Sequence, residues 1–344
     1  MIEKYYSGVI EQIYNRIGKE TRNIVMANYS NDFSIENLEV IRRYQSNEDN
    51  VFFAYSEFSY NTLVGAYEPF LDIICNMHRR FIGGSFDDFQ KECGVYYLHR
   101  QVLNSYYETG ECFREETVLL NEVAYEQRRM TMAIADMLKK LSEVKPLMIV
   151  INRFQMASKS SIETIKYLID NPCAHIGIVL GVNAIVKGTD STVEVWDRIV
   201  ESLEDRSAIY YIGSAGPLKN NVKTTNDDEL YITMNFEQSI QEASNIMEFL
   251  DFEQARRGCR IIEHKLKFED AWIDEKSLRR FYMVYARTSV LLGEMSKAIE
   301  LTNEYKALIP ENDSEHYLSL YYFMKGTCYM YQGKLEKAGN SAKS

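Results

Sequence analysis

Proline is scarce in this chain. There are five in 344 residues and no low-complexity tract, which leaves little room for disordered segments. No apolar run approaches the roughly 20 residues that span a bilayer. The opening, Met1-Ile-Glu-Lys-Tyr-Tyr6, lacks the basic and apolar regions of a secretory signal. Disulfide patterning is absent as well: Cys75, Cys93, Cys112, Cys173, Cys259 and Cys328 are scattered without a C-x-x-C pair, as in a reducing compartment. There is no basic excess, and a net charge of −11 sets an overall field that opposes DNA or RNA. Together these absences predict a cytoplasmic protein with no membrane and no nucleic-acid partner.

What is present is core-forming material. Hydrophobic residues make up 46% of the chain and aromatics 12%, including 25 tyrosines, enough for large packed cores, and the length suits two domains. Short apolar runs at Asn23–Ala27, Val51–Ala54, Leu147–Ile151, Ile176–Leu180 and Ala208–Ile212 read as strands separated mostly by helical segments, so a parallel sheet covered by helices is expected. Between the second and third runs, Met130, Ile134, Met137, Leu138 and Leu141 keep helical spacing on one face. Cys75, His78, Cys93 and His99 place four candidate zinc ligands within 25 residues. Because Cys75 and His78 fall in an apolar helical run rather than on tight turns, burial is their expected role and no metal is assigned.

Two stretches have the layout of nucleotide-handling motifs without their chemistry. Asn23 to Ala27 leads through the polar Asn28–Ser34 into an amphipathic segment, Ile35 to Tyr44, which is the order strand, loop, helix. On the spacing G-x-x-x-x-G-K-[ST], Ala27 stands for the first glycine, Asp32 for the second, Phe33 for the lysine and Ser34 for the magnesium-binding hydroxyl. Only the hydroxyl is kept, and Asp32 would set a carboxylate against phosphate charge. The same residues also suit an ordinary βα turn in which Asp32 or Ser34 caps the helix. In the second stretch the strand ends at Asn152-Arg153 and the chain continues as Gln155-Met-Ala157-Ser-Lys-Ser160-Ser161. A P-loop enzyme needs an aspartate there to hold Mg²⁺, whereas Asn152 is neutral and Arg153 carries the wrong sign.

These residues resemble the STAND class of signalling ATPases, particularly those of large bacterial transcriptional activators and cyclase-associated regulators. In that class a strand ending in two acids runs on as hydrophobic-Gln-Trp-Ala-Asp-x-x-Ser. Gln155, Ala157, Ser160 and Ser161 keep the pattern, while Met156 and Ser158 depart from its Trp and Asp. Val51 to Glu57, followed by Tyr67-Glu-Pro69-Phe70, matches the second strand and the Tyr-x-Pro element of the class. The resemblance implies an all-parallel sheet ordered 5-1-4-3-2 and a sensor-like place for Asn183 after the fourth strand. With the substitutions above, it implies a nucleotide domain that has lost catalysis and holds no cofactor. It also sets Asp32 and Arg153 on opposite sides of the old phosphate site, with charges suited to pairing. The alternative, an ATP/Mg-binding ATPase with an atypical loop, would need other groups. Lys19, Arg22, Glu57 and Asp170 are available, but off the motif spacing.

Gly213 to Glu229 has the composition of an exposed loop. Beyond it, Gly293-x-x-x-Lys297-Ala298 recurs as Gly333-x-x-x-Lys337-Ala338, with glycine ending one helix and alanine sitting in a close helix contact. The pattern resembles the turn and second helix of tetratricopeptide repeats. Pro310, Gly326 and Tyr329 are in keeping with it, and Leu250 to Leu266 is a candidate earlier helix. The expected organisation is α/β then all-α: residues 1–213 a degenerate P-loop NTPase-like domain, 214–232 a linker, and 233–344 helical repeats cut short before a missing C-terminal effector domain. The resemblance implies a non-catalytic regulatory module that engages a protein partner through the repeats. It would form the front part of a larger bacterial signalling protein with a transcriptional, adenylate cyclase or diguanylate cyclase output. A plain structural adaptor is the second alternative.

Overall fold

Parallel strands covered on both faces are apolar at successive positions, because neither face meets water. The computed structural model, which describes residues 2–29, 38–46, 50–59, 63–114, 120–183, 193–213, 236–268, 273–310 and 314–343, has two such strands at its centre. β3 (Leu147–Asn152) and β4 (Ile176–Asn183) are buried at every residue. With β1 (Ile24–Tyr29), β2 (Phe52–Glu57) and β5 (Ile209–Ile212) they form one five-stranded parallel sheet, β2-β3-β4-β1-β5. Read from the other side this is the expected 5-1-4-3-2. β1, β2 and β4 run two or three residues further than their apolar runs, to Tyr29, Glu57 and Asn183.

Side chains alternate along a strand, so each strand feeds both faces. Val25, Ala27, Tyr29, Phe53, Met148, Val150 and Val179 share one face and its core with α1 (Ile2–Tyr14) and α2 (Glu39–Ser46). α1 covers that face with Tyr6, Val9, Ile10 and Ile13, the i, i+3, i+4, i+7 positions of one helical stripe. Met26, Phe52, Ile149, Ile151, Ile178 and Leu180 join the larger core on the other face. There they meet α3 (Phe70–Met77), α6 (Val123–Val144), α7 (Lys159–Asp170) and α8 (Val193–Asp205). Between α3 and α6 lie α4 (Phe86–Glu92) and α5 (Tyr97–Thr109). The expected stripe of α6, from Met130 to Leu141, is fully buried.

After the sheet the described residues form six helices: α9 (Phe236–Glu248), α10 (Phe252–Phe268), α11 (Glu275–Leu291), α12 (Met295–Ala307), α13 (Ser314–Tyr331) and α14 (Leu335–Lys343). They pack as consecutive pairs. Gly293 and Gly333 make the turns within the last two pairs at φ of +77° and +73°, a left-handed conformation that side-chain-bearing residues rarely adopt. Ala298, after the first of these turns, is fully buried. The expected linker, 214–232, lies outside the described residues. The helices share the large core, since Phe249, Leu250, Phe252 and Ala255 belong to the same apolar cluster as Tyr67, Ile149 and Ile165. Among the described residues no helix is long and apolar enough to cross a membrane.

Candidate functional site

In open α/β sheets ligands bind beyond the carboxyl ends of the strands. At that edge β1 does not yet give way to a loop. Ala27, Asn28 and Tyr29 pair with Gly181, Val182 and Asn183 of β4 on one side, and with Tyr210, Tyr211 and Ile212 of β5 on the other. On the P-loop spacing, Asn28 and Tyr29 would be the first residues of a phosphate-wrapping loop; here they belong to the ladder. Tyr29 points to the same face as Ala27 and reaches over β4, where its hydroxyl donates to Asn152 Oδ1 at 2.5 Å. Gly181 of β4 makes that crossing feasible. A Cβ there would stand 2.8 Å from Asn152 Oδ1 and closer still to the hydroxyl of Tyr6.

Tyr6 of α1 is fully buried over this spot. Burial first, and then the nearby Tyr29, Tyr55 and Glu57, push its phenol pKa well above the ordinary value, so it stays neutral. Tyr55 donates to Glu57 Oε2. Arg153 turns left-handed at φ +53°, at the start of the 3₁₀ turn Phe154–Met156. Its Nη1 lies 3.1 Å from Glu57 Oε1 and also donates to the Phe58 carbonyl at 3.3 Å. Phenols, one amide and an ion pair therefore occupy the carboxyl edge around Asn152 and Arg153.

Asp32, Phe33 and Ser34 lie outside the described residues, and with them the Asp32 half of the expected Asp32–Arg153 pair. The described ion-pair partner of Arg153 is Glu57. Asn183 ends β4 buried, its backbone N–H donating to Gln155 Oε1 at 3.3 Å. Lys19 and Arg22 precede β1 and so lie at the amino edge, opposite the phosphate-loop position. Asp170 ends α7, which runs back to that same amino edge, and pairs with Lys166 at 2.6 Å. Of the four substitutes an atypical ATPase would draw on, Glu57 alone stands at the carboxyl edge, and Arg153 neutralises it.

The four candidate zinc ligands are spread through packed helices. His78 Nδ1 meets the Tyr107 hydroxyl at 3.1 Å, and its ring packs against Phe86 and Phe89. His99 Nε2 is 3.0 Å from Glu126 Oε2, but burial, aided by Arg114 and Arg129, pushes its pKa down to about 3. At neutral pH that contact is therefore not an ion pair. Burial raises the Cys75 and Cys93 thiols to about 12. Among the described residues no group of three or more His, Cys, Asp or Glu could hold a metal ion.

The Gln155-x-Ala157-x-x-Ser160 run forms a joint. Ser158 caps α7 by accepting from the Ser161 N–H at 3.4 Å. Ser160 Oγ accepts from the Tyr67 N–H at 3.0 Å, and Ser161 Oγ donates to the Glu68 carbonyl at 2.7 Å, tying the Tyr67-Glu-Pro69 turn to this helix end. The Ser160 N–H donates at 3.0 Å to Asp251 Oδ2, and the other oxygen of Asp251 accepts from the Gln254 N–H at 3.4 Å, at the start of α10. One buried carboxylate thus serves the N-termini of α7 and α10, where orphan N–H groups and the helix dipole favour negative charge. Further bonds close the seam: Gln254 Nε2 to the Val64 carbonyl (2.9 Å), Gln127 Nε2 to the Leu250 carbonyl (2.5 Å), and the Cys112 N–H to Asn245 Oδ1 (2.9 Å). Sequence reading missed Asp251, although Asp251-x-x-Gln254 has the spacing of a helix capping box. For Tyr6 and Tyr29 no comparable local signal exists.

A second feature is a cavity of about 1030 Å³ in the helical segment, between the α9–α10 junction, α11, α13 and α14. Its walls are mostly apolar, with Arg114, Glu248 and Arg287 along one side. No protein-family model and no curated protein matches this chain.

Proposed function

We propose that this chain is a non-catalytic regulatory and protein-interaction module: a STAND-like α/β unit that has given up nucleotide hydrolysis, joined to a helical scaffold of TPR-like pairs. The observation that carries the proposal is the closure at the carboxyl edge. Tyr29 bonds Asn152 over Gly181 where a phosphate loop would open, and Arg153 is held by Glu57 where two acids would manage Mg²⁺ and water. The guanidinium of Arg153 cannot ligate a cation, and the one ligating oxygen of Asn152, a neutral and therefore weaker ligand than the usual carboxylate, already accepts from Tyr29. The seam at Asp251 supports the regulatory half of the proposal, because it links the strand-end motif directly to the helices. On the resemblance, the module acts in the cytoplasm of a bacterium, as the front part of a signalling protein with a transcriptional or nucleotide-cyclase output.

Titration with fluorescent ATP in the presence and absence of Mg²⁺ tests the core of this proposal. The expected outcome is no Mg²⁺-dependent binding in the micromolar range. Micromolar, Mg²⁺-dependent binding would overturn it in favour of an ATP-binding module with an atypical loop.

A further inference from the structure

A trough runs along α13. Glu315, Leu318, Tyr322, Phe323, Met330 and Tyr331 line it from successive turns of the helix, with α11 and α14 forming its sides. From Glu315 to Tyr331 is about 24 Å at the helical rise of 1.5 Å per residue. The cavity of about 1030 Å³ along it gives room for a row of side chains from a partner. Phe323, Met330 and Leu335 on its walls are 57%, 48% and 69% exposed. Contiguous apolar surface of this kind marks interaction sites on soluble proteins.

The polar wall supplies the chemistry of recognition. Arg114 is only 6% exposed. Its Nη2 donates to the Glu248 carbonyl at 3.0 Å and its Nε lies 3.9 Å from the Glu248 carboxylate, yet Nε and Nη1 have no hydrogen-bond partner among the described residues. Arg287 holds the other oxygen of Glu248 at 2.9 Å. Glu248 is shared between the two guanidiniums, with Glu126 also acting on Arg114, and the open N–H groups of a buried guanidinium favour a carboxylate above any other partner. Glu315, the remaining charged residue on the walls, sits at the far N-terminal end of α13.

We propose, building on the reading of the helices as an interaction scaffold, that this trough receives the apolar stripe of an amphipathic helix from a partner protein. The helix is about 16 residues long, matching the trough, and carries one Asp or Glu within its stripe to meet Arg114. Its outer face is rich in Lys and Arg, which suits a chain of net charge −11.

The test is a displayed library of helical peptides, each about 18 residues long, selected on the full chain. Leu, Ile and Met are fixed at i, i+4, i+7 and i+11, and one stripe position varies among Asp, Glu, Asn, Gln and Leu. Enriched peptides should carry Asp or Glu at that position and bind with micromolar Kd. Their binding should fall at least about tenfold on the combined Phe323→Glu and Met330→Glu substitutions, with circular dichroism confirming that the chain stays folded. Replacing the acid by its amide in the peptide reads the Arg114 contact without touching the fold, and should also weaken binding about tenfold. Binding that survives both chain substitutions would remove the trough while leaving an interaction scaffold in place. Equal binding of acid and amide peptides, or no enrichment at all, would also overturn the proposal.

Discussion

Removing the Asp251 side chain should loosen the seam between the sheet and the helices. In Asp251→Ala the N–H groups of Ser160 and Gln254 both lose their acceptor, in a place from which water is excluded. A lost cap costs about 0.5–2 kcal/mol, and a buried N–H left without a partner about 1–3 kcal/mol. Against this stands a gain. Burial raises the pKa of Asp251, outweighing the bonds from Ser160 and Gln254 that lower it, so the charge itself is unfavourable where it sits. The net expectation is a loss of about 2–4 kcal/mol for Asp251→Ala. Asp251→Asn removes the charge and keeps one acceptor oxygen, so it should cost about half as much. Urea denaturation followed by far-UV circular dichroism measures both, and a 3 kcal/mol loss corresponds to a midpoint shift of roughly 1 M. An alanine variant within about 0.5 kcal/mol of the parent would refute the idea that the carboxylate holds the seam. An asparagine variant as damaged as the alanine one would show that charge, not the two acceptor oxygens, is what matters.

Two further predictions concern the sheet edge and the seam. Gly181→Ala should destabilise by about 1–3 kcal/mol, because its Cβ meets Asn152 Oδ1 at 2.8 Å and the Tyr6 hydroxyl closer still. Repeating it in a Tyr6→Phe background should recover part of that loss, and a double-mutant cycle with no coupling would show that the phenol is not the obstacle. Glu242 of α9 has a pKa raised to about 7, by burial first and then by Glu68 and Asp72. Since the folded value lies above the unfolded one, the stabilisation is complete below about pH 4.5 and is lost as pH rises through about 7, with an upper size of about 3 kcal/mol. Glu242→Gln should therefore be more stable than the parent at pH 8, with a flatter profile between pH 5 and 8. Parallel profiles for the two proteins would rule this out.

The five strands were legible because a strand covered on both faces leaves an unbroken apolar run, and their order came with the family resemblance carried by Gln155, Ala157 and Ser160. Strand ends were less legible. The apolar runs read as ending at Ala27 and Leu180, but backbone pairing goes on to Tyr29 and Asn183, and backbone pairing leaves no mark on side-chain type. The repeat glycines were readable because a left-handed turn after a helix selects glycine almost alone.

The sequence by itself determined the elements of this protein, their alternation and the absence of phosphate-loop glycines, lysine and Walker acids, because periodicity, turn residues and motif spacing act over a few positions of chain. Only the tertiary structure decided what stands at those places. Tyr29 and Asn152 are 123 positions apart, and Ser160 and Asp251 are 91 apart. Whether such groups meet depends on how the sheet twists, which small residue separates the strands, and which helix end arrives beside another. None of those has a local signature.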